Sequence, residues 1–222
     1  MLKNLDRRTV SHMLLVWCNN PPLRPRHPPP PRRLLPPTAH AQTNDVTKLF
    51  VGQGQIAVLN STSLAYASPA DKIGCLSSLG NFTASAAECA VFTRIDAYPH
   101  TLLTTAGNCS FRNKNMPVNS DSVYGKNTHS WSCGTDKVET VPDETYYTVR
   151  GFNYPFLCNG NLDCFYDMKV PPAPVANSTS SVRVPVWQFV WGSDQQEVSP
   201  GHVQTVWLWV PVVNGTVSTK SR

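Results

Sequence analysis

The chain has 222 residues, of which 41% are hydrophobic, with 20 prolines and a formal charge of +5, a length that allows one ordinary globular core and leaves little room for two. Nine of the prolines, seven of the 19 lysines and arginines, and one of the 14 acidic residues fall before Gln42, so the remainder carries 12 basic against 13 acidic side chains. The basic character therefore belongs to the leader, and charge gives no support to nucleic acid or an anionic membrane surface as partner.

Ala39-His40-Ala41 is an A-x-A pattern preceded by Leu34-Leu35 and Pro36-Pro37, which matches the end of a secretory signal peptide. Cleavage is expected after Ala41. It divides the chain into a signal peptide or Pro/Arg-rich leader over 1–41 and a single secreted β-rich body over 42–222. The apolar run from Met13 to Cys18 is short for such a leader, and a Pro/Arg-rich stretch separates it from Leu34. Joining Met13–Trp17 directly onto Leu34 restores a compact leader, so residues 18–33 read as genomic sequence wrongly carried into the chain. The other reading is a genuine Pro-rich disordered arm with P-x-x-P spacings. No segment reaches the roughly 18 consecutive apolar residues of a helical membrane span.

After Leu49-Phe50-Val51 the periodicity is that of strands. Segments rich in β-branched and aromatic residues, bounded by Gly, Asn, Ser or Pro, predict strands over 56–59, 63–67, 90–93, 146–149, 181–191 and 203–210. The one helical signal, over 83–89, predicts no more than one or two turns. The stretch 112–144 is polar and reads as a long surface excursion pinned by Cys133. Pro185 predicts an edge or a bulge in its strand. The last two strands are expected to pair as an antiparallel hairpin closing the domain. Within 203–210, Trp207 and Trp209 share one face and Val206, Leu208 and Val210 the other. Both faces are apolar, so this strand is either central or carries an exposed aromatic patch. The final residues 217–222 read as frayed. The fold class expected is all-β, an antiparallel β-sandwich stapled by disulfides, with little helix.

Excluding Cys18, the cysteines are Cys75, Cys89, Cys109, Cys133, Cys158 and Cys164, an even set without C-x-x-C spacing, which favours structural disulfides over a zinc or redox site. The turn-rich loop 159–163 would bring Cys158 to Cys164, and Cys75 with Cys89 is a second local pairing. Five N-x-S/T sequons, at Asn60, Asn81, Asn108, Asn177 and Asn214, point with the cysteines to a eukaryotic secretory route.

Chemistry-bearing residues are present without a catalytic pattern. His100, His129 and His202 lie in polar or turn surroundings, and neither H-E-x-x-H nor G-x-S-x-G occurs. Glu88, Asp96, Glu139, Asp143, Glu144, Asp163 and Asp167 could supply the carboxylate pair of a glycosidase, although solvated loop acids are the simpler reading. Asp163 and Asp167 fit no EF-hand loop. No cofactor and no metal site is therefore expected. Tyr124, His129 and Trp131 combine stacking surface with a titratable ring and form a candidate binding segment, against the plainer reading of a Trp packed on a disulfide. Trp187, Trp191, Trp207 and Trp209 are further binding candidates with the same ambiguity.

Taken through Ile73-Gly74-Cys75-Leu76, Glu88-Cys89-Ala90-Val91-Phe92, Asn108-Cys109-Ser110-Phe111 and Ser130-Trp131-Ser132-Cys133, the chain resembles the broad class of small secreted fungal glycoproteins with six cysteines. The resemblance implies a cell-exterior location and effector-like or cell-wall roles. Function is accordingly expected to be that of an extracellular interaction protein whose partner is a protein or a glycan. The alternatives are a carbohydrate-binding module and, behind it, a secreted hydrolase.

Overall fold

The structure, a computed structural model, describes residues 45–135, 145–160, 164–172, 182–213 and 216–217. The leader, the distal end of the polar excursion (136–144) and the sequons at Asn177 and Asn214 lie outside the described residues. Among the described residues there is no α-helix. Three 3-10 turns and fourteen strands make up the regular structure.

The strands are β1 (Gln53–Asn60), β2 (Lys72–Leu76), β3 (Phe82–Thr83), β4 (Phe92–Arg94), β5 (Leu102–Thr104), β6 (Gly107–Ser110), β7 (Ser132–Gly134), β8 (Tyr146–Thr148), β9 (Phe156–Asn159), β10 (Tyr166–Lys169), β11 (Arg183–Val184), β12 (Val186–Gln188), β13 (His202–Val213) and β14 (Thr216–Val217). Their named pairings are all antiparallel. β1 takes β13 along one edge, from Gly54↔Pro211 to Asn60↔Thr205, and β4 and then β2 along the other. The path β1, β2, β3, β11 continues through Pro185 into β12, then to β10 and β13, and so returns to β1.

The chain is thus all-β, antiparallel and disulfide-stapled, with its strands in one curled sheet. A division into two stacked sheets is not seen among the described residues.

Closure gives each central strand two buried faces. Ile56, Val58, Trp207 and Trp209 point into a core with Phe92, Phe111, Trp131, Tyr146 and Tyr166. Ala57, Leu59, Val206 and Leu208 point the other way into a second cluster with Ala67 and Phe156. The two-sided apolar pattern of 203–210 is therefore that of a central strand. Tyr166 stacks on Trp207 at 3.6 Å between centroids, and Trp131 Nε1–H donates to the Tyr146 hydroxyl at 2.6 Å. A Trp buries about 150–250 Å², worth about 4–6 kcal/mol of transfer free energy at the usual area coefficient. Trp131, Trp207 and Trp209 are all fully buried. Gly54 makes room for one of them, since a Cβ at that position would lie 2.4 Å from Trp209 Cε2.

The disulfides are Cys75–Cys89, Cys109–Cys133 and Cys158–Cys164. The first and last are the two pairings expected from local sequence. Cys109 and Cys133 sit directly opposite each other in the β6–β7 ladder.

Three expectations are corrected. Residues 63–67 form a turn, with the Ala67 N–H donating to the Ser63 carbonyl at 3.0 Å. Ser61 explains this, because its hydroxyl accepts from the Ser63 N–H and donates to the Ser63 carbonyl, a local bonding alternative that competes with a ladder. The helical signal over 83–89 is only the 3-10 turn Ala86–Glu88, confined between β3 and the Cys75–Cys89 bridge. The expected closing hairpin does not form. β10 lies between its two strands, pairing with β12 on one side and β13 on the other.

Candidate functional site

β10 positions the most polar buried cluster of the described residues. Its alternation sends Tyr166 and Met168 into the core and Asp167 and Lys169 to the opposite face. Asp167 stands opposite Trp187 of β12 and Gln204 of β13, and Lys169 stands opposite His202. Asp167 is 1% exposed. A carboxylate buried so deeply requires partners, and it has two. His202 Nδ1 lies 2.7 Å from Asp167 Oδ1, and the Asn119 side-chain amide donates to Asp167 Oδ2 at 2.8 Å.

The cluster continues outward to Asp121. His202 Nε2 lies 3.2 Å from Asp121 Oδ2, and Lys169 Nζ lies 2.9 Å from the same oxygen. The Lys169 ammonium, and after it His202, hold the Asp121 carboxyl below its ordinary value of 3.8. Both imidazole nitrogens face carboxylate oxygens, which only accept. A neutral ring offers one N–H, so both contacts are hydrogen bonds only when the ring carries two. Trp187 covers the ring, stacked at 6.1 Å and 21°, and the Trp187 indole N–H donates to the Pro117 carbonyl at 3.0 Å.

This arrangement fastens the excursion that begins after β6 onto the outer face of β10, β12 and β13. Its Asp167–His202 pair presents no acid or base to solvent, because both side chains are 2% exposed and both ring nitrogens are occupied. Asp167 and His202 were legible as titratable residues. Their convergence with Asp121 was not, since the three lie in segments 35 to 81 residues apart. The only local signal was the Tyr-Asp-Met-Lys alternation of a strand.

A second loop, residues 191–199, is braced against the first. The Gln195 side-chain oxygen accepts from the Val123 N–H at 2.6 Å and from the Ser122 hydroxyl at 3.2 Å. Its amide donates to Ser199 Oγ at 3.0 Å, and that hydroxyl donates to the Asp121 carbonyl at 2.8 Å. The Tyr124 hydroxyl accepts from the Asp194 N–H at 2.9 Å and meets Ser193 Oγ at 3.2 Å. Its ring lies on Gly192, where an added Cβ would be 2.3 Å from Tyr124 Cζ.

The seven binding candidates separate accordingly. Trp131, Trp187, Trp207 and Trp209 are buried: Trp131, Trp207 and Trp209 lie in the core cluster, while Trp187 lies beside His202 on the face that carries Asp167. His129 is half-buried, its Nδ1 2.9 Å from the Met116 carbonyl. Tyr124 is 37% and Trp191 70% exposed, and these two rings are brought to the paired loops. Of the sequon asparagines, Asn60 and Asn108 are exposed and Asn81 is half-buried.

Of the other acids, Asp96 pairs with Arg94 and Glu88 with Arg183, while Glu139, Asp143, Glu144 and Asp163 lie outside the described residues. No group of three or more His, Cys, Asp or Glu side chains able to hold a metal ion occurs among the described residues. No helix of the described residues is long and apolar enough to cross a membrane. Comparison with known protein families, with characterised proteins and with solved structures gives no match to this chain.

Proposed function

We propose that the chain is a secreted, N-glycosylated extracellular interaction protein of the effector-like or cell-wall-associated kind, presenting a loop surface to a protein or glycan partner. The observation that carries this reading is the pairing of all six cysteines beyond the leader into three disulfides. Such bonds persist in oxidising compartments and are rare where thiols are kept reduced. Exposure of Asn60 and Asn108 supports glycan addition at those sequons, and the A-x-A pattern before Gln42 supports processing there. A binding role is favoured over hydrolysis because the Asp167–His202 pair, the deeply buried Asp–His pair of the described residues, is held by Asn119 with Trp187 beside the imidazole.

Intact and peptide-level mass spectrometry of the protein from culture supernatant, before and after deglycosylation and reduction, tests this. The expected result is an N-terminus at Gln42, three disulfides and occupied sequons. Intracellular material that keeps its leader and free thiols would overturn it.

A further inference from the structure

We infer that Trp191 and Tyr124 form a binding platform for a neutral saccharide, an inference that rests on the extracellular reading above and names the partner class. The indole of Trp191 is 70% exposed, while the other four described tryptophans are each 3% exposed or less. An exposed indole on a braced loop offers a flat apolar face on which a ligand can stack. Rigidity is the second observation. The segment that carries the ring is closed by the Gly192–Gln195 bridge and tied to the neighbouring loop through Gln195, Ser199 and the Tyr124 hydroxyl. The Asp121–His202–Asp167 cluster anchors that neighbouring loop in turn. A ring pre-organised in this way loses little freedom on binding.

The rim selects the ligand. Ser193, Asp194 and Glu197 are exposed on the loop of Trp191, and Lys126 is exposed two residues from Tyr124. The exposed charges of these two loops are of both signs, so neither a strongly acidic nor a strongly basic ligand is drawn in by the field. A pyranose suits both parts, offering a face of C–H groups to the indole and hydroxyls that donate to carboxylates and accept from the ammonium.

The test uses the full secreted chain, its own N-glycans trimmed, titrated separately with cello-, laminari-, chito- and mannohexaose. The Trp191 indole N–H resonance is followed by heteronuclear NMR in the wild type, and the affinities of the wild type and of the variants, which lack that resonance, are measured by isothermal titration calorimetry. At least one hexaose is expected to move that signal, with affinity falling about tenfold or more in Trp191→Ala and less than about threefold in Trp191→Phe, which keeps a stacking ring. The unfolding midpoint should stay unchanged in both variants because the ring is exposed. Silence with all four hexaoses, or binding that Trp191→Ala leaves intact, would overturn the inference. So would a shift at Trp191 produced by an oligolysine or oligoglutamate peptide and by none of the sugars. Mass spectrometry of the same secreted sample separates the failures: processed, disulfide-bonded material that binds no sugar removes the platform alone.

Discussion

At the scale of single residues, Asp167 is the side chain whose environment departs most from its chemistry. Its carboxylate is buried and answered by His202 and Asn119, so Asp167→Ala leaves an imidazole and an amide without their acceptor. Breaking a buried charged contact from one side costs about 3 kcal/mol, and urea unfolding of this variant should show a loss of that order. Asp121 acts at the surface end of the same chain of contacts, and its effect is read through pH. Its carboxyl titrates lower in the folded protein than the ordinary 3.8, first through Lys169 and then through His202. The ionised form is the one stabilised by folding, so this contribution is fully present above pH 3.8 and disappears as pH falls through the lower folded value. The difference in unfolding midpoint between the wild type and Asp121→Asn should therefore be constant above pH 3.8 and shrink below it.

At the scale of elements, the faces of β13 were legible because alternation is local, and Pro185, expected at an edge or a bulge, instead separates β11 from β12. Trp207 and Trp209 fall in one cluster and Val206 and Leu208 in the other, as a period of two requires. The insertion of β10 between β12 and β13 was not legible. Its four residues, two of them charged, give too short and too polar a run to compete with the apolar segments on either side. Only closure of the sheet, with Asn119 and His202 delivered from far along the chain, makes a buried Asp167 tolerable. For the same reason four of the tryptophans suggested as ligand contacts are buried, three in the core and Trp187 beneath the loop that carries Pro117: a short aromatic run does not say which faces the curled sheet and its loops will cover. β1 and β13 also meet at a close approach of backbone and ring. Gly54→Ala places a methyl 2.4 Å from the Trp209 ring, and overpacking of this kind costs about 1–3 kcal/mol. Thermal unfolding should register it, while Gly52→Ala, at an exposed position with open space around it, reports only the strain of a positive φ.

At the scale of the whole described sheet, the three disulfides close loops of very different length, with sequence separations of 6, 14 and 24 residues. On the chain-entropy account their contributions rank as about 2, 3 and 3.5 kcal/mol. Replacing Cys109 and Cys133 together by serine should therefore lower stability most, and replacing Cys158 and Cys164 least. Calorimetric midpoints of the three double variants would reverse this order if strain or residual structure outweighed loop length.

The ladder between β1 and β13 joins residues 145 to 157 positions apart, and it sets an order of assembly. During synthesis β1 can gain β2 and β4 early, and the Cys75–Cys89 bridge can form beside them. The opposite edge of β1, flanked by Ile56, Val58 and Leu59, waits for partners 145 to 157 positions further along the chain to emerge. Until β13 arrives that edge is an open template for pairing with other chains. A nascent chain paused before residue 202 would therefore depend on chaperones of its compartment far more than the finished protein does.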